Sequence, residues 1–212
     1  MTNNIYPFNP LDKKHLGESV GQAMLRQPIN SLAGLSKFNG AGVYAIYYSG
    51  DFPAYEEIAK RNNSGSYIAP IYVGKAVPEG ARKGKLSPAS TETLFRRLND
   101  HKKSLDKAEN LHLEDFFYRC LIVDDIWIPL GESLLIAKFS PVWNNFIDGF
   151  GNHDPGSGRH AGLRPRWDVL HPGRSWAEKL QPRPETQEQI ILEVKEQLRS
   201  YPPPDDDNMI SV

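Results

Sequence analysis

Gly42-Val43-Tyr44-Ala45-Ile46-Tyr47-Tyr48 and Pro70-Ile71-Tyr72-Val73-Gly74-Lys75 are the two stretches on which the fold turns. Both are rich in β-branched and aromatic residues, which suit a pleated, packed surface. Residues 43–48 therefore read as one strand, ended by Ser49-Gly50-Asp51, and residues 70–73 start another. Residues 52–69 between them are too long for a tight hairpin turn; they read as an insertion with a short helix over 54–60. Residues 76–90 form a Gly-, Pro- and Lys/Arg-rich loop into a helix over 91–107, whose buried face is marked by Leu94, Leu98 and Leu105. Residues 116–126 alternate as a strand, and 130–139 form an apolar helix stopped by Ser140-Pro141. A glycine-rich loop over 149–162 and a stretch bearing arginine and tryptophan precede a last helix over 185–199. Upstream, Asn9-Pro10 is expected to start a helix with Asn9 as its N-cap, followed by the apolar stripe Leu11, Leu16, Val20 and Met24.

The chain has 212 residues, 39% hydrophobic and 24% charged, which suits one domain with extensions. No stretch approaches the ~18 apolar residues of a membrane span. No basic segment followed by an apolar one marks secretion, so a cytoplasmic protein is expected. The single cysteine, Cys120, excludes an internal disulfide or a Cys-based zinc module. The net charge of −1 hides an asymmetry: residues 75–107 carry nine Lys/Arg against four Asp/Glu, and residues 185–212 carry two against seven. The basic block suits DNA phosphates; a solvated helix face explains it equally well.

Glu132 shares a helix face with Leu135, Ile136 and Phe139, the face that should be buried. A buried carboxylate needs a cation, and two readings compete: an ion pair with an arginine, or a divalent metal ligand. Arg97 and His101 are one helical turn apart at the rim of the buried face. Together they suit a phosphate clamp; apart, a surface arginine and a satisfied histidine. Tyr44 and Tyr72 lie on neighbouring strands, where tyrosines ordinarily pack, and a hydroxyl with a pKa near ~10 is a poor base unless something assists it.

In order, Gly42-Val43-Tyr44, Tyr72-Val73-Gly74, Arg97-x-x-x-His101, Glu132 and Asn144 resemble the motifs of the GIY-YIG nuclease family. Further stretches are similar to its Type II restriction endonuclease branch with SacII-type specificity: Gly40–Ala45, Pro70–Pro78, Asp148-Gly149-Phe150-Gly151-Asn152-His153, Trp167-Asp168-Val169 and His171-Pro172-Gly173-Arg174. The likeness covers roughly residues 38–180. Val43 and Val73 replace the isoleucines of the family name.

The resemblance implies an α+β fold: a small three-stranded antiparallel sheet flanked by helices. The nuclease domain would span 37–180, with an insertion at 52–69 and a DNA-contacting loop at 149–166. An N-terminal arm (1–36) would precede it, and a C-terminal helix with a disordered acidic tail (181–212) would follow. It further implies Mg²⁺-dependent double-strand cleavage of DNA at CCGCGG, leaving 5′ phosphates and 3′ hydroxyls. Tyr44 would be the general base assisted by His101, Arg97 the transition-state clamp and Glu132 the Mg²⁺ ligand. Tyr72 would orient phosphate or water, and Asn144 would anchor the end of the Glu132 helix or the substrate. Lys75, Lys83, Lys85, Lys102 and Lys103 would meet phosphates, while Arg159, Arg164, Arg166 and Arg174 would read guanines. A palindromic site implies a homodimer, and a restriction–modification pairing implies a cognate methyltransferase as genetic partner in a bacterial cytoplasm. Competing readings are a homing or repair endonuclease of the same family, and an inactive DNA-binding protein on its scaffold.

Overall fold

A computed structural model describes residue 9 and residues 11–78 and 91–202. Strands β1 (Asn30–Ser31), β2 (Gly42–Tyr48), β3 (Pro70–Ala76) and β4 (Phe116–Ile122) form one antiparallel sheet in the order β1-β4-β2-β3. The expected three-stranded sheet is present, and two-residue β1 extends it at one edge.

Every residue of β2 is buried, because both its edges are paired and both its faces are covered. The two-residue period still sorts its side chains. Tyr44, Ile46 and Tyr48 enter one core cluster with Leu94, Leu98 and Leu105 of helix α3 (Thr93–Asp106) and Trp143 of α5 (Val142–Asn145). Val43, Ala45 and Tyr47 enter a second cluster with Met24 of α1 (Lys13–Leu25) and Ile128, Leu135 and Phe139 of α4 (Ile128–Phe139). The sheet is thus sandwiched between α1/α4 and the remaining helices.

The insertion folds back through helix α2 (Glu56–Asn63). Buried Asn62 donates to the carbonyls of Tyr48 and Ala69 at 2.8 and 2.9 Å and accepts from the Ala69 amide at 3.0 Å, tying the insertion to the strands on either side. Helices α6 (Arg166–Leu170) and α7 (Gln187–Ser200) complete the outer layer, with Ile190, Val194 and Leu198 of α7 in the first cluster.

Three element ends differ from the sequence expectation. Helix α1 is capped by Asp12, whose carboxylate accepts from the Lys14 amide, while Asn9 accepts from the Leu11 amide in the turn before it. Strand β3 runs on to Ala76, because its partner β2 continues antiparallel to Gly42. Strand β4 stops at Ile122, not at 126: a 3₁₀ turn over Asp125–Trp127 follows, leaving Ile126 and Trp127 73% and 52% exposed. The acidic residues 203–212 and the basic residues 79–90, with Lys83 and Lys85, lie outside the described residues. Among the described residues no helix is long and apolar enough to cross a membrane.

Candidate active site

Antiparallel register sets Gly74 opposite Tyr44. A Cβ at Gly74 would stand 2.3 Å from the Tyr44 hydroxyl, so only glycine lets that ring lie across β3. The hydroxyl is 2.6 Å from His101 Nε2. His101 is buried on α3 and stacks on Phe150, ring centroids 4.6 Å apart. Burial pushes the Tyr44 hydroxyl well above its ordinary value; neighbouring Tyr72 adds to this and Arg97 opposes it. Burial pulls the His101 imidazole well below its ordinary value, helped by the Arg97 guanidinium. At neutral pH the tyrosine therefore holds its proton and the imidazole is neutral, and in the tautomer protonated at Nδ1 the hydroxyl donates to Nε2.

Tyr72 faces the same side of β3 as Gly74, its ring 5.2 Å from that of His101. Its hydroxyl is also raised by burial, against Arg97. Arg97, one turn before His101, reaches His153 Nε2 at 3.2 Å and donates to the Gly151 carbonyl at 3.4 Å. A Cβ at Gly151 would lie 3.1 Å from both Arg97 Nη2 and the Tyr72 hydroxyl. The loop backbone thus closes directly on the arginine and tyrosine, and a hydroxyl pair, an imidazole and a guanidinium converge on one cleft.

Glu132 stands on the other face of the sheet, close enough for its charge to act on the tyrosines. Lys75 pairs with Val43 in the β2–β3 register and so shares the α4 face, and its ammonium lies 2.5 Å from Glu132 Oε2. The ion pair anticipated for Glu132 is therefore made with a strand lysine instead of an arginine, and Lys75, expected at a phosphate, holds this bond in the structure. The negative charge of Glu132 helps push both Tyr44 and Tyr72 upward. Among the described residues no three His, Cys, Asp or Glu side chains group to hold a metal. A lone carboxylate does not make a zinc site; it does fit Mg²⁺, which keeps several waters and takes substrate phosphate oxygens.

Asn144 does not anchor the end of α4. Its amide accepts from the Val73 amide and donates to the Val73 carbonyl, both at 2.8 Å. It stands where a further strand would pair with edge strand β3, and it fixes the backbone between Tyr72 and Gly74.

The arginines proposed as base readers separate sharply. Arg174 is buried: its Nε and Nη2 grip both oxygens of Asp168 at 2.6 Å, and its Nη atoms donate to the carbonyls of Phe150, Asn152 and Gly149 at 3.1, 3.2 and 2.9 Å. Those bonds occupy all five guanidinium donors, so none remains for a guanine edge. Burial raises the Asp168 carboxyl against the pull of that guanidinium. Arg164 donates to the Ala177 and Glu178 carbonyls, and Arg166 pairs with Glu193 on α7 and lies over the Phe146 ring. Arg159 is exposed and lines a cleft with His153. Lys102 donates to the Ala33 carbonyl at 2.5 Å, whereas Lys103 is exposed, 4.0 Å from Asp100.

Phe150, Gly151 and His153 were quoted only as part of a similar stretch, without roles. The available signal was an aromatic set between two glycines with a histidine two residues after the second, in a loop otherwise poor in apolar residues.

A family model described as the Eco29kI GIY-YIG domain matches residues 36–198. No curated protein matches the chain.

Proposed function

The chain belongs to the Eco29kI GIY-YIG family of restriction endonucleases, and from that premise we propose a Type II site-specific deoxyribonuclease that hydrolyses both strands of DNA at CCGCGG. The observation that carries the chemistry is the buried Tyr44–His101 bond of 2.6 Å. A hydroxyl raised this far is not a base by itself. With an imidazole already accepting its proton, the Tyr44 oxygen takes a proton from the attacking water while its own proton passes to Nε2 of neutral His101, and no free phenolate forms.

Arg97 borders both hydroxyls and neutralises the phosphorane-like transition state, which carries more negative charge than the ground state. Tyr72 orients the phosphate or the water. Glu132 would hold Mg²⁺, the cofactor of this reading, which supplies charge stabilisation at the leaving 3′ oxygen when bound. Asn144 holds β3 so that the two tyrosines keep their spacing. Arg159 is the candidate base reader favoured by its exposure, and Lys103 the phosphate contact. Lys83 and Lys85 of the basic stretch remain further phosphate contacts of this reading. A homodimer would bring two such clefts to a palindrome, and a methyltransferase would protect the host's own sites.

Incubating the protein with a sequenced plasmid, in Mg²⁺ and in chelator, and mapping the ends tests this reading. Discrete Mg²⁺-dependent cuts at CCGCGG are expected. Cuts at another sequence remove the site assignment, and cutting confined to branched DNA removes the restriction reading. Glu132→Gln should abolish cleavage while DNA binding persists; normal cutting by that variant rejects the metal assignment.

A further inference from the structure

We propose that Arg174 is a positioning residue for catalysis: held by Asp168, it pins the loop over residues 149–153 so that Phe150 seats His101 and the Gly151 carbonyl and His153 seat Arg97. This rests on the nuclease reading above and extends it to residues outside the cleft. The loop is glycine-rich and without regular structure over Gly151–Gly156, yet at its start the carbonyls of Gly149, Phe150 and Asn152 all end on one guanidinium. That guanidinium is itself fixed at both oxygens of a buried carboxylate and sandwiched by rings, 4.4 Å from Trp167 and 4.8 Å from Trp176. With its own carbonyl and that of Gly149 before it anchored, Phe150 turns its ring nearly parallel to His101, 15° between planes, and also packs on Tyr72 and Trp143. Directly after it, the Gly151 carbonyl accepts from Arg97. Over Asp154–His160, among the described residues, the bonds are local, such as Asp154 accepting from the Gly156 amide and Gly156 accepting from the Arg159 amide. The pinned part of the loop is therefore the part that touches the cleft. A lysine at 174 could not replace the device, since three tetrahedrally arranged donors on one nitrogen cannot serve five fixed acceptors spread around a planar fork.

The titratable and charged groups facing His101 are Tyr44 on β2, Tyr72 on β3, Arg97 on its own helix, His153 on the loop and Arg174 behind it. Two readouts go beyond loss of structure: the titration of His101 followed by NMR in the free protein, and the split between single-turnover cleavage rate and DNA affinity. They are measured in wild type, Arg174→Lys and Phe150→Leu. Wild-type His101 should titrate well below ~6.5. In both variants its midpoint should rise by about one pH unit, as the imidazole loses its cover. Cleavage should slow about 10- to 100-fold, the cost of a small misplacement in a catalytic constellation, with DNA affinity within about threefold of wild type. If Arg174→Lys does not fold, Phe150→Leu decides. Folded variants with wild-type rate and wild-type His101 titration overturn the inference, as does an ordinary His101 midpoint in wild type. A wild type that cuts no plasmid sinks the nuclease reading alone, since the titration still tests the loop.

Discussion

Tyr44 with His101, and Tyr55 with His171, are built from the same parts: a buried hydroxyl on a histidine Nε2, at 2.6 and 2.7 Å. In both pairs burial raises the tyrosine and lowers the imidazole. The surroundings differ. Trp143 Nε1 donates to the Tyr55 oxygen at 2.8 Å, His171 Nδ1 meets Asn110 Oδ1 at 2.9 Å, and Asn110 donates to the Leu170 carbonyl at 2.9 Å. That chain is closed at both ends and packed between Phe52, Trp143 and Trp167. Tyr44 instead has Arg97, Tyr72 and the charge of Glu132 around its hydroxyl. A tyrosine–histidine bond is thus a core strut where every polar valence is internal; beside a guanidinium, a second hydroxyl and a carboxylate it has the surroundings that the proposed proton relay needs.

The largest expected effect separates the two pairs directly. Tyr44→Phe should lower kcat by about 10²–10⁴-fold, the usual worth of a general base, with a nearly unchanged melting temperature. Tyr55→Phe should leave kcat within a few-fold but cost about 1–3 kcal/mol of stability, because the Trp143 indole N–H and His171 Nε2 lose their partner. Measuring both quantities on both variants breaks the comparison if the losses fall the other way round.

Acid sharpens it next. Both histidines are neutral in the fold and have pKa values below the unfolded value of about 6.5. The unfolded chain then binds protons that the folded one does not, so stability is complete above that pH and is lost as pH falls below it. Each histidine contributes about 1.4 kcal/mol per pH unit, until its folded pKa is reached. Urea titrations between pH 7 and 5 should show this slope, and His171→Gln should halve the histidine part of it. The acid limb of kcat should follow His101 alone and set in only well below pH ~6.5, where the lowered imidazole takes up its proton. An acid limb that moves with His171→Gln would tie the strut to the chemistry.

Much of this contrast was readable before any coordinates, and the unreadable part has a physical reason. The alternation through Val43–Tyr48 sorts side chains correctly onto two faces, because β2 pairs on both edges and its period is undisturbed. Past Ile122 the same apolar alternation misleads: no strand continues beside it, and Ile126 and Trp127 face outward. Glu132 announces itself by falling on an apolar face, but its partner Lys75 lies on a strand 57 residues earlier, a distance no local pattern reports. Arg174 is the instructive error. An arginine in a basic, glycine-rich stretch has the composition of a DNA reader. Only the fold brings Asp168, Trp167, Trp176 and three carbonyls around it. Tyr55 stands out nowhere in the sequence and His171 only within the family-like stretch His171–Arg174, since an aromatic in an insertion and a histidine before Pro172 carry no mark of belonging together.

Strand β3 offers a further test of what holds the open pair in place, since nothing but Asn144 meets its backbone at Val73 on the outer edge among the described bonds. Asn144→Ala removes two bonds that are only partly screened from water, so it should cost about 1–2 kcal/mol. Cleavage should slow about tenfold, as Tyr72 and Gly74 shift against Tyr44. Equal loss of rate and of DNA affinity would instead indicate a direct substrate contact. Asn144→Asp keeps the acceptor for the Val73 amide and loses the donor for its carbonyl, so its rate should fall between those of wild type and Asn144→Ala.

The smallest expected effect concerns the ion pair on the far face. Lys75 is 42% exposed and Glu132 19% at their side chains, so solvent screens much of their attraction. Lys75→Met should change stability by no more than about 1 kcal/mol, a difference that thermal melts resolve. If Glu132 binds a cation during cleavage, its carboxylate must exchange the ammonium for that ion. Removing the competitor should then lower the Mg²⁺ concentration for half-maximal cutting. If the lysine serves the substrate phosphate as well, that gain is offset by weaker DNA binding whose salt dependence is reduced by about one contact. Measuring the Mg²⁺ and salt dependence together separates the two roles, because the first leaves the salt slope untouched and the second lowers it.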